Sequence, residues 1–244
     1  MLVHEDLCVG CGMCVKYCPV GAITIVDRKA HIDQEKCLEC GTCGRQRVVK
    51  CPRNALYENP EVYTYPRSIR KFFSDPMAYH PETKVPGRGT EEVKTNDVTG
   101  RVKRNEYGIA IEMGRPTVGA SYVDVEKMTM ALAKFHVEYE TKNPVKSLFL
   151  DEEKGTLKEE AKAQRVISGI IEFTIPAEEL DEVLLTVMET SKTIDTVFSL
   201  DLICRFSDES PYEMPKVPEL AKYGLEPRPN SKINLGMGRP LVEE

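Results

Sequence analysis

Cys8–Pro19 reads CVGCGMCVKYCP, and Cys37–Pro52 reads CLECGTCGRQRVVKCP. Cysteines fall at 8, 11, 14 and 18 and again at 37, 40, 43 and 51. Eight of the nine cysteines of this 244-residue chain therefore lie in its first 51 residues. Disulfides, zinc and iron–sulfur clusters all use dense cysteines. The start MLVHEDLCVGC has neither the basic nor the apolar region of an export signal, so the expected compartment is the reducing cytoplasm, where disulfides are rare. All-thiolate zinc sites use two CxxC pairs. Here a third cysteine follows each pair at the same gap and Cys-Pro closes each run, which favours iron–sulfur chemistry.

Residues 1–57 resemble the bacterial dicluster ferredoxin domain. Both cysteine runs carry the resemblance, as do the segments VGAITIVDRKAHIDQEKC and RNALYE, which look like the short strands and turns beside each cluster loop. It implies one-electron transfer at low potential through two [4Fe–4S] clusters. The fourth cysteine of each run, constrained by its proline, belongs to the other run's cluster. Cys8, Cys11, Cys14 and Cys51 are thus assigned to the first cluster, and Cys37, Cys40, Cys43 and Cys18 to the second. In one departure, seven residues, GRQRVVK, separate Cys43 from Cys51 where the simplest pattern has three. The four extra residues amount to about one helical turn. They also bring Arg45, Arg47 and Lys50 towards the clusters, either to offset cluster charge or simply as a solvated basic turn.

The rest of the composition is that of a soluble protein, 41% hydrophobic and 30% charged. No apolar run approaches the length of a membrane span. Residues 1–60 carry 8 Lys+Arg against 7 Asp+Glu and the remainder 25 against 32, which together give the net charge of −6. Neither part is basic enough for nucleic-acid binding.

The expected fold class is α+β: a ferredoxin domain (1–58), an extended Pro-rich connector (59–103), an α+β domain (104–206) and an extended C-terminal arm (207–244). Prolines 60, 66, 76, 81 and 86 exclude a long helix from the connector. SIRKFF within it reads either as a short helix against a partner or as a staple to the parent domain. PGRG at 86–89 is a weak backbone nest.

In NEYGIAIEM, Tyr107, Ile109, Ile111 and Met113 alternate as a half-buried strand. Ser121 and Asp124 mark a helix start, with Val125, Met128, Leu132 and Phe135 on one face. The next strand is either VEYE or VKSLFL. Ile171, Phe173 and Ile175 then alternate, Leu180, Val183, Leu184, Val187 and Met188 line a second helix, and Phe198, Leu200, Leu202, Cys204 and Phe206 form a last strand. This order predicts a ferredoxin-like βαββαβ sandwich, with Cys204 as a core residue. MGRP occurs at 113–116 and again at 237–240. Gly114, Arg115 and Arg239 form a candidate anion site, weighed against a tight turn whose arginine pairs with a carboxylate.

PGRGTEEVKTNDVTGR followed by EMGRPTVG resembles the region after the ferredoxin domain in 6-hydroxynicotinate reductase-type enzymes of anaerobes, covering residues 1–120. This implies an anaerobic reductive system acting on an aromatic or amide-like ring. The leading expectation is an electron-transfer subunit that serves a partner oxidoreductase, with the arms available for self-association. The alternatives are a reductase in its own right and a redox-linked small-molecule sensor. A reductase would need a flavin or a similar centre, for which no motif is present. Its acid–base candidates, His80, His136, Tyr122 and Lys127, are not paired by spacing.

Overall fold

The structure is a computed structural model, which describes residues 1–84, 99–115, 118–204 and 220–226. Four short strands frame the cysteine loops: β1 (Leu2–Val3), β2 (Ile23–Val26), β3 (Lys29–Ile32) and β4 (Leu56–Tyr57). β1 pairs with β4 and β2 with β3, both antiparallel. Asp27 and Arg28, both at positive φ, make the two-residue β2–β3 turn. Met1, Ile23, Ile32, Val49 and Leu56 pack here with Cys14, Cys37 and Cys43 in a small core of their own.

The stretch expected to be an extended connector is largely folded where it is described. Asn59 caps a 3-10 turn, Pro60–Tyr63, through a bond from the Glu61 N–H. Helix α1 (Arg67–Ser74) follows. SIRKFF lies in it and is a staple: Ile69 and Phe73 enter the main hydrophobic core, and Phe73 meets Tyr122 edge-on at 5.6 Å.

Beyond the connector run β5 (Glu106–Met113), β6 (Ala120–Ser121) and α2 (Tyr122–Leu132). Ser121 caps α2, its Oγ accepting from the Asp124 N–H at 3.2 Å. β7 (Glu138–Tyr139), the hairpin β8 (Phe149–Asp151) and β9 (Thr156–Leu157), the short α3 (Glu159–Lys162) and β10 (Arg165–Val166) come next. β11 (Gly169–Pro176), α4 (Leu180–Ser191) and β12 (Phe198–Ile203) complete the domain. One antiparallel sheet has the order β12–β5–β11–β7. Val125, Met128 and Leu132 of α2 and Val183, Leu184 and Val187 of α4 share a core with Ile109, Ile111, Ile171 and Phe173, so the two helices cover one face.

The structure settles the second strand. Glu138 and Tyr139 pair with Thr174 and Phe173, whereas Phe149–Asp151 forms the separate β8–β9 hairpin. Cys204 is a correction. β12 stops at Ile203 and is an edge strand, so Phe198, Leu200 and Leu202 are only half-buried, and Cys204 lies past the strand end at intermediate exposure. Burial still pushes its thiol up to about 11. Of the C-terminal arm, residues 220–226 are described. There the 3-10 turn Leu220–Tyr223 docks on α4, with Lys222 Nζ 2.9 Å from Asp181.

Gly114 makes the turn after β5. Its φ is +88°, and a Cβ there would stand 2.6 Å from the Ile167 carbonyl oxygen. Gly114→Ala is therefore expected to destabilise the fold by about 1–3 kcal/mol. An unchanged midpoint of chemical unfolding would sink this account of the turn.

Candidate iron–sulfur site

The two cysteine loops are built alike. Left-handed backbone occurs at Gly10, Gly12 and Gly21 in the first and at Glu39, Gly41 and Asn54 in the second. Each triplet holds the same place relative to its cysteines. Gly10 admits no side chain, because a Cβ would lie 2.3 Å from the Arg28 carbonyl oxygen. The Cys-Pro segments match as well. The Ala22 N–H points at Cys18 Sγ (3.2 Å) and the Ala55 N–H at Cys51 Sγ (3.4 Å), each from four residues on. The Ala30 N–H points at Cys8 Sγ (3.3 Å). Backbone N–H groups aimed at sulfur stabilise thiolates and set the electronics of whatever metal they bind.

Cys8, Cys11, Cys14 and Cys51 line one open cleft of about 370 Å³, walled by Val3, Val9, Met13, Ile25 and Leu56. The seven-residue insertion does not prevent this. Its extra residues close a single turn, Val48 and Val49 N–H bonding the Arg45 carbonyl, and Val49 is buried. Cys18, from the first run, is near enough to Cys43 to act on it electrostatically, as Cys40 and Cys37 do. The thiols acting on Cys14 are those of Cys11, Cys8 and Cys51. Burial pushes the Cys43 thiol up to about 12 and raises Cys14 and Cys37 too. Such sulfurs become thiolates on binding metal, which displaces the proton.

Among the described residues, no three His, Cys, Asp or Glu side chains converge closely enough to hold a single metal ion. Four thiols around an apolar cleft instead fit a multi-iron cluster, whose outer corners bind sulfur while its body fills the space between.

The second set is roofed by the chain itself. Cys37 and Cys43 are buried, as are Leu38, Glu39 and Gly41 between them. The roof is α1. Buried Arg70 donates to the carbonyls of Gln34 (3.1 Å), Glu35 (2.8 Å) and Cys37 (3.0 Å), and through Nε to Gln164 Oε1 (2.8 Å). Arg67 donates to Glu39 at 2.5 Å. Arg45 does not face a cluster; it pairs with Asp75, which Lys71 also holds at 2.6 Å, and Lys71 reaches Glu58 as well. Such a chain of buried ions fixes the position of α1 more than it adds stability. No motif or spacing pointed to Arg70, Gln164 or Glu39.

The remaining candidates are scattered. Arg115 donates to Glu112 at 3.0 Å, the carboxylate alternative; Arg239 and residues 86–98 lie outside the described residues. Tyr122 is fully buried, Lys127 is held by Asp124 and the Thr193 carbonyl, and exposed His136 pairs with Glu179. His80 is buried edge-on to Phe72 and Phe73, with Nδ1 accepting from the Thr83 N–H at 3.4 Å. Burial holds it below the usual histidine range. A histidine more acidic when folded contributes stability that is complete above about pH 6.5 and is lost as pH falls below it. His80→Leu is thus expected to flatten the stability decline between about pH 7 and pH 5.5. An unchanged slope would rule His80 out as its cause.

Fold and site together define the N-terminal part as a ferredoxin-type iron–sulfur domain. Residues 1–24 match the family described as 4Fe-4S binding domain. The chain is similar to a subunit of the ion-translocating oxidoreductase complex of Methanosarcina acetivorans, 49% identical over 54 residues, which are 22% of this chain and 19% of that one. It is also similar to pyruvate synthase subunit PorD of Methanothermobacter marburgensis, 37% identical over 48 residues (20% of this chain, 56% of that one). A ferredoxin of Pyrobaculum islandicum is 26% identical over 96 residues (39% and 83%). The match thus spans about a fifth of the first of these relatives and just over half of the second. No solved structure matches the chain. These similarities to iron–sulfur proteins are confined mainly to the N-terminal part of the chain. No helix among the described residues is long and apolar enough to cross a membrane.

Proposed function

We propose that this chain is the electron-relay subunit of an oxidoreductase complex, holding two [4Fe–4S] clusters. Cys8, Cys11, Cys14 and Cys51 ligate one, and Cys37, Cys40, Cys43 and Cys18 the other. The observation that supports this reading is that Cys51, from the second run, lines one cleft with Cys8, Cys11 and Cys14, while Cys18 is near enough to act on Cys43. When bound, each cluster takes up and gives back one electron without a proton.

The protein's own residues supply the rest. Apolar side chains, Val3, Met13 and Leu56 among them, wall the first set. Backbone N–H groups of Ala22, Ala30 and Ala55 stabilise the sulfur charge. Arg70 fastens the second loop beneath α1 and the sandwich domain, which we read as ferredoxin-like. The first set is thereby the more exposed, through Cys11, and the second the more buried, through Cys37 and Cys43, as suits a relay between an outside donor and an acceptor held by the complex. The relatives named as complex subunits support the same reading.

Anaerobic purification from native cells tests it. The expected result is a larger co-eluting enzyme and no flavin on this chain. Stoichiometric flavin on the isolated chain would make it a reductase instead.

A further inference from the structure

The two cysteine sets of that relay reading, on which this inference rests, are unequal in their surroundings. Two exposed apolar side chains stand in the lining of the first cleft. Val9 (51% exposed) and Ile25 (39%) line it, and Cys11 is itself exposed. Apolar surface of this kind marks a contact site when it is rimmed by polar groups.

The rim carries positive charge. Arg53 lines the cleft and Lys50 precedes its ligand-bearing neighbour Cys51. Arg47, Lys50 and Arg53 are all exposed. None of the three pairs with a carboxylate among the described residues, in contrast to Arg45, which Asp75 holds. No Asp or Glu occurs from Arg45 to Tyr57. Glu39 and Glu58, two of the acids that bring the first sixty residues close to neutrality, are spent on Arg67 and Lys71 of α1. This positive face belongs to a chain whose net charge is −6.

The second set is more covered: Cys37 and Cys43 are buried and Cys18 and Cys40 half-buried. Its loop is covered by α1, and Leu38 lies against the turn at Gly119, where a Cβ would meet the Leu38 side chain at 3.7 Å. We propose that the cleft mouth lined by Val9, Ile25 and Arg53, with Lys50 next to Cys51 in the chain, docks a small redox protein whose own centre is ringed by carboxylates. Apolar contact brings the two centres together while unpaired cations set orientation and encounter rate.

The test is calorimetric titration of the iron-loaded chain with a purified acidic two-cluster ferredoxin. Its dissociation constant is expected to weaken about tenfold between about 50 mM and about 300 mM salt. Lys50→Glu with Arg53→Glu is expected to weaken binding at low salt by at least about tenfold at wild-type iron content. Lys134→Glu with Lys192→Glu, the same charge change on the other domain, is expected to stay within about twofold. A salt-independent constant, or equal weakening by the two double variants, would overturn the docking face and leave the relay reading intact. Co-sedimentation with phosphatidylglycerol vesicles, without ferredoxin binding, would overturn it in favour of an anionic membrane surface. A chain that takes up zinc and no iron would remove both the relay reading and this inference.

Discussion

Cys51→Ala is expected to lower the iron content of the anaerobically purified chain from about eight to about four per chain, with the second cluster retained. Cys18→Ala is expected to give the same halving while sparing the first cluster. The crossed assignment separates the two variants. If Cys51 belonged with its own run, its loss would empty the second set, roofed by α1, and leave the open one filled. Electron paramagnetic resonance of the reduced variants distinguishes these outcomes. The surviving cluster in Cys51→Ala should respond to Arg70 substitution, because Arg70 bonds the Cys37 carbonyl. The survivor in Cys18→Ala should not. A Cys51→Ala chain that keeps all its iron would mean that the insertion carries this cysteine away from the cleft.

Arg70→Ala has the largest effect expected outside the cysteines. The guanidinium is buried and satisfies four acceptors, three carbonyls of the second cluster loop and Gln164 of the sandwich domain. Each buried acceptor left bare costs about 1–3 kcal/mol, reduced where water can enter, so a loss of about 3 kcal/mol or more follows. Lysine recovers only part of it, since an ammonium cannot span the planar arrangement that a guanidinium serves. The loss also weakens the joint between two distinct hydrophobic cores, which ion pairs of α1 also bridge. In the wild-type chain, cluster absorbance and tyrosine fluorescence should be lost together on unfolding. In Arg70→Ala the two transitions should separate, the cluster bleaching first. Coincident transitions at an unchanged midpoint would show that α1 is held without Arg70.

These two predictions differ in how far the sequence could have supplied them. The iron–sulfur domain was legible because ligand spacing is a local constraint: a loop must wrap a cluster within a few residues, and the spacing of Cys8–Cys14 records that directly. Alternation likewise exposed β5 and β11, and Ser121 with Asp124 marked the start of α2. Edge elements left weaker traces. β7 is two residues long and is defined by its partners Phe173 and Thr174, so VEYE and VKSLFL looked equivalent. Cys204 kept the alternation of β12 beyond the point where the strand ends.

Arg70 was illegible for another reason. Its partner Gln164 lies 94 residues away, and SIRKFF alone resembles any basic, aromatic turn. The Glu39 carboxylate, buried in the second loop where the first has Gly10, is satisfied by Arg67 from α1. Long-range satisfaction of buried polar groups leaves no periodic signal.

The most direct test of the central claim is the iron, sulfide and zinc content of the wild-type chain purified without oxygen. About eight iron and eight sulfide per chain, with no zinc, is the predicted result (two four-iron clusters). Zinc in place of iron, with no sulfide, would contradict it.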